Sequence, residues 1–153
     1  MFRSILVAYD DSPGARRALD IALQLATDSS GTRLTVVAVQ PEPARFGGTI
    51  DEYQEERSFE ERRSHQWLEA ASAIAARHDV ALGVELRFGH PAREIVDTAE
   101  AIAVDLIVLG HSGHSGAWGR FLGTTAEKVS RHAHCSVLIA APPEGRAPDL
   151  HDG

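Results

Sequence analysis

The stretch "DLIVLGHSGHSGAWGRFLGTTAEKV", Asp105–Val129, gathers the residue types best suited to holding a small anionic molecule. An apolar run ends at Gly110. Glycines recur at 113, 116, 119 and 123, and Thr124 and Thr125 then open a helical pattern. Glycine loses more backbone entropy on folding than any other residue, so a loop this rich in it is costly to order and must hold something that offsets the cost. Gly110 and Gly113 would let the backbone approach a ligand closely. Gly123, Thr124 and Thr125 offer amides and hydroxyls at the start of a helix, a natural anion site. Asp10 closes the first apolar run of the chain. A carboxylate there suits Mg²⁺ held through water or phosphate oxygens.

Three familiar glycine signatures do not fit this loop. No glycine is followed by lysine, so there is no P-loop. The turn after the first strand, "YDDSPGA", lacks the G-x-G-x-x-G dinucleotide fingerprint. "GHSGH" (Gly110–His114) places histidine where a nucleophile elbow needs its last glycine. The eight histidines include the pairs His111/His114 and His132/His134, separated by a helix and without an evident third ligand. They read as solvated or capping groups rather than a zinc site. Cys135, the single cysteine, cannot form an internal disulfide and reads as a small packed residue.

The elements that must position these groups follow from hydrophobic pattern and punctuation. A chain of 153 residues suggests one domain. Apolar runs of about five residues at Ser4–Asp10, Thr32–Gln40, Val80–Gly89, Asp105–Gly110 and Cys135–Ala140 read as strands, far short of the ~20 residues that cross a bilayer. Ser12 and Pro13 start the first helix, with Ala15, Ala18, Ile21, Ala22 and Leu25 on its inner face. A long helix from Asp51 to about His78 opens with the charged run "DEYQEERSFEERR" and turns Phe59, Trp67, Ala70, Ala71 and Ile74 inward. Pro91 starts a third helix, with Ile95, Val96, Ala99 and Ile102 at helical spacing. The fourth runs from Leu122 to about His132. Alternating strands and helices, with strands apolar on both faces, predict a doubly wound α/β domain with a parallel sheet covered on both sides. In such folds ligands sit beyond the carboxyl ends of the strands at the switch in strand order. Asp10 and the glycine loop share one cleft when the first and fourth strands are neighbours. The formal charge of −7 argues against nucleic acid as a partner. The lack of a signal-peptide pattern, a long apolar span or paired cysteines fits a cytoplasmic protein that does not enter a membrane.

Gly110, two residues, Gly113, nine residues, then Gly123-Thr124 is G-x2-G-x9-G-[ST]. With "AYDDSPGARRAL" at the start, "GHPAREIVDTAEAIAVDLIVLG" in the middle and "GTTAEKVSRHAHCSVLIA" at the close, the chain resembles the ATP-binding branch of the universal stress protein family. The resemblance implies a five-stranded parallel sheet in the order 3-2-1-4-5 over residues 1–141; residues 142–153, "PPEGRAPDLHDG", read as a disordered tail. It implies an adenine nucleotide, ATP or else AMP or another, with Mg²⁺. Ala8, Tyr9 and Asp10 would line it, Val39 would lie against the adenine, Leu109, Gly110, Ser112 and Gly113 would wrap the ribose side, and Gly123, Thr124 and Thr125 would hold the phosphates. The function implied is a nucleotide-binding regulator of the stress response. The alternatives are a slow ATPase or nucleotidyl-transfer enzyme, against which no convincing general base is found, and a structural dimer module without a ligand. The last strand would pair with its copy in a homodimer, with Val137 and Ile139 at or near the contact. Two positions depart from the family. Ser136 stands where proline is frequent. His114 stands where arginine or lysine is common, so a phosphate contact there would strengthen on protonation.

Overall fold

The computed structural model describes residues 1–42, 48–111 and 122–141, and the structural statements below concern those residues. Strands β1 (Ser4–Ala8), β2 (Arg33–Gln40), β3 (Leu82–Phe88), β4 (Leu106–Gly110) and β5 (Ser136–Ala140) form one parallel sheet in the order β3-β2-β1-β4-β5. Helices α1 (Pro13–Asp28), α2 (Ile50–Arg77), α3 (Pro91–Ala101) and α4 (Thr124–His132) connect them. The α/β class and strand order expected from the sequence are those of the structure.

Local chemistry sets the helix starts. The Ser12 hydroxyl accepts the Ala15 N–H at 3.2 Å, with Pro13 in the first turn, where its missing N–H costs nothing. Thr49 and Glu52 form a reciprocal capping box, so α2 begins one residue before Asp51. Pro91 opens α3.

Side chains alternate across the sheet. Ile5 and Val7 of β1 pack with α1 and α2, whereas Leu6 and Ala8 face α3 and α4. Ile5, Leu6, Val7, Ile107 and Val108 are fully buried, because the central strands are covered on both faces. Each such side chain contributes about 1.5–3 kcal/mol of burial. The start of the sheet is fastened by Asp105. Its carboxylate accepts the Arg3 and Ser4 N–H groups at 2.9 and 3.0 Å, and these bonds hold its pKa below the usual value.

Several inner faces differ from the periodicity. On α1 the buried stripe is Ala15, Ala18, Leu19, Ala22, Leu23 and Ala26; Ile21 and Leu25 lie at its margin. Phe59, expected to face inward, is 56% exposed; the buried stripe of α2 is Ser64, Leu68, Ala71 and Ala75, and before it the helix meets the sheet through Arg57, whose carbonyl accepts from Gln40 Nε2 at 3.1 Å. On α3 Ala92 and Thr98 are buried with Ile95 and Ala99, while Val96 and Ile102 are half-buried. The Thr98 hydroxyl donates to the Glu94 carbonyl at 2.6 Å, which lets a polar residue occupy that face.

β1 lies between β2 and β4, and the chain leaves its end for α1 on one face, whereas β4 is followed by α4 on the other. A crevice opens where the two connections diverge.

Candidate functional site

A cavity of about 380 Å³ occupies that crevice, within the range of small-ligand sites. One wall is apolar: Ala8, Val37 and Val39 from the sheet, Leu109 from β4, and Pro91 and Ile95 from α3. The polar part of the lining is formed by Asp10, Ser12, His111, Thr124 and Thr125.

On the β1 side, the Asp10 carboxylate accepts the Ser12 N–H at 3.1 Å, a local side-chain turn that leads into α1. Asp11 takes a left-handed backbone, φ 59°. The Tyr9 hydroxyl donates to Asp11 Oδ1 at 2.9 Å, and Arg16 Nε donates to the same atom at 3.1 Å. The Tyr9 ring packs with Val7 and Ala15 on the α1 side of the sheet and is 2% exposed. Its pKa is pushed up to about 12, chiefly by burial and then by the bond to Asp11.

On the β4 side, Gly110 abuts α1. A Cβ there would stand 2.7 Å from the Gly14 carbonyl carbon and 2.9 Å from its Cα. The His111 N–H donates to the Ala140 carbonyl at 3.1 Å, and the His111 carbonyl accepts the Gly123 N–H at 2.8 Å. The end of β4 is thereby tied directly to the start of α4. Gly123 caps α4 without a side-chain bond, and Thr124, Thr125 and Ala126, whose first-turn amides have no capping side chain among the described residues, line the cavity. His111 Nδ1 is buried and has no partner among the described residues. An uncapped helix start and an orphaned buried nitrogen beside one carboxylate suit a polyanion with its cation, so the residues present fit a magnesium nucleotide.

The structure brings Ala8, Tyr9, Asp10, Val39, Leu109, Gly110, Gly123, Thr124 and Thr125 to this one cavity. The Tyr9 side chain is committed to the core and to Asp11. Thr124 is the first helical residue; the cap is Gly123. Ser112, Gly113 and His114 lie outside the described residues, as do residues 142–153. Sequence reasoning missed Ser12, Pro91, Ile95 and His111. Ser12 and Pro91 were legible as helix starts but not as cavity wall. His111 directly follows Gly110, and that adjacency was the available signal against reading it as solvated; it is half-buried. His134 pairs with Glu100 at 2.8 Å, and among the described residues no cluster of three or more His, Cys, Asp or Glu is placed to hold a metal ion.

The model of the Universal stress protein family matches residues 1–141. The chain belongs to the universal stress protein family. A universal stress protein of Thermus aquaticus is 36% identical over 145 residues, covering 91% of this chain and 98% of the relative. Universal stress protein YxiE of Bacillus subtilis is 33% identical, covering 91% and 99%. Among solved structures, universal stress protein UspA from Lactobacillus plantarum superposes with a TM-score of 0.80 at 27% identity, over 90% of this chain and 96% of that one. Two more distant universal stress proteins share the fold. One, in complex with cAMP, has a TM-score of 0.70 at 23% identity, over 93% and 99% of the chains. The other, from Arabidopsis thaliana with AMP bound, has a TM-score of 0.70 at 17% identity, over 96% of each chain.

Proposed function

We propose that this universal stress protein binds ATP in the crevice between β1 and β4 and acts in the stress response through the nucleotide-bound form. One observation carries the reading: apolar side chains and the start of a helix capped only by glycine line a single cavity, and a molecule with a flat apolar base and a charged tail needs both. Val39 and Ile95 suit the adenine, Gly110 the ribose, and the α4 amides with Thr124 and Thr125 the phosphates. In this reading Asp10 holds Mg²⁺, which when bound offsets phosphate charge. The relatives with cAMP and AMP support an adenine nucleotide as the ligand class. In the same reading β5, an edge strand, pairs with β5 of a second copy, placing Val137 and Ile139 near the contact.

The test is mass spectrometry of nucleotide retained on purification, followed by calorimetry with ATP, AMP and cAMP. Gly123→Val is expected to abolish ATP binding and leave the melting temperature within a few degrees. The backbone at Gly123, φ −58° and ψ 149°, lies in a region open to any residue, and the melting temperature of the nucleotide-free variant separates loss of ligand space from loss of fold. ATP affinity unchanged in this variant would refute the site.

A further inference from the structure

We infer that Tyr9 is a positioning residue: its hydroxyl holds Asp11 in the left-handed turn that presents the Asp10 carboxylate to the cavity. The role assigned to Asp10 rests on the nucleotide reading above; the turn itself does not.

Asp11 sits at φ 59°, a conformation disfavoured for any residue with a Cβ, although aspartate tolerates it better than most. Two donors meet its Oδ1 atom, Tyr9 at 2.9 Å and Arg16 at 3.1 Å. They are not equivalent. The Arg16 side chain is 58% exposed and its ion pair is screened by water. Tyr9 is buried within the core cluster that includes Val7 and Ala15, so its hydroxyl is held more rigidly than an exposed guanidinium. A phenol is protonated, and so a donor, throughout the neutral range. The turn it holds decides two further bonds. The Ser12 N–H reaches Asp10 Oδ1, which orients that carboxylate, and the Ser12 hydroxyl caps α1 at the Ala15 N–H. Without the hydroxyl, Asp11 partitions between the left-handed turn and ordinary backbone, and the apparent affinity falls with the competent fraction.

Glycine adopts positive φ without strain, and asparagine accepts it nearly as well. The hydroxyl is therefore needed only while residue 11 resists the turn, and a double-mutant cycle reads this. Tyr9→Phe is expected to weaken binding of ATP with Mg²⁺ by roughly three- to tenfold and binding without Mg²⁺ by less. In the Asp11→Gly background the same change is expected to cost under about twofold. Among single variants at position 11, affinity should rank glycine and asparagine above alanine, following left-handed preference. A direct charge contact from Asp11 would instead make all three equally weak and would overturn the inference. Equal cost of Tyr9→Phe in both backgrounds, or no cost in either, would overturn it as well. Amide exchange at Ser12 in the nucleotide-free protein tests the turn alone: it should quicken in Tyr9→Phe and recover with Asp11→Gly. Unchanged exchange refutes the holding role even if nucleotide binds. Wild-type protein that binds no adenine nucleotide refutes the binding reading and the use made of Asp10, whatever the exchange shows.

Discussion

A Cβ on Gly110 would stand 2.7 Å from the Gly14 carbonyl carbon, a distance that van der Waals repulsion does not allow. Gly110→Ala should therefore destabilise the protein without ligand by about 2–3 kcal/mol, or roughly 5–10 °C in Tm, as an overpacked core position does. Thermal unfolding of the nucleotide-free protein measures this, and an unchanged Tm would show that α1 yields without cost. The spacing of Gly110, Gly113, Gly123 and Thr124 marked this position in the sequence, but for a different reason, close approach to a ligand. Spacing along the chain reports that a side chain is absent. What fills the space is settled by α1, which leaves the sheet about a hundred residues earlier. His111, read from the sequence with the other histidines as solvated or capping, is half-buried. Its Nδ1 is buried, and its backbone N–H is held by the Ala140 carbonyl of β5, a contact that the local sequence does not reveal.

The elements were the legible level, because strand runs and helix caps are written locally. Ser12 with Pro13, and Pro91, mark helix starts through chemistry within one turn. Thr49 and Glu52 carried the same signal and place the start of α2 one residue early. The helix faces were less legible. Leu19 and Leu23 are buried while Ile21 and Leu25 sit at the margin, because packing against the sheet selects one stripe among several apolar residues. Phe59 has helical spacing from buried residues but is exposed, while Arg57, two residues earlier, is the residue that meets β2 and β3. Asp105, at the end that fastens β4 to β1, gives an element-scale prediction. Its pKa is lowered by the Arg3 and then the Ser4 amides, so its stabilisation is present above the unfolded value of about 4 and is lost as pH falls through the lower folded value. Asp105→Ala should cost about 1–2 kcal/mol at pH 7. The gap to wild type should hold down to about pH 5 and close below about pH 4. Urea unfolding across that range checks it, and a gap that persists in acid would assign the loss to packing.

Across the whole molecule, the sheet order decides which distant residues meet. The order β3-β2-β1-β4-β5 sets Asp10 beside the residues after β4 and leaves β5 at an edge. Val137 and Ile139 pack partly against the α3 and α4 side and remain partly exposed. Light scattering at micromolar concentration should give twice the monomer mass; a monomer would rule out the β5 pairing. No helix among the described residues is long and apolar enough to cross a membrane.

The contact between Gly110 and Gly14 also constrains how the sequence can drift. The atoms that a Cβ on residue 110 would strike are the main-chain carbon, Cα and oxygen of residue 14. Every amino acid carries those atoms, so no exchange at position 14 can act as a suppressor of a substitution at 110. Rescue requires α1 to slide as a unit, which would also move Ser12 and the Asp10 turn. A selection for second-site revertants of Gly110→Ala should therefore yield changes along the buried stripe of α1, at positions such as Leu19 or Leu23, and none at Gly14.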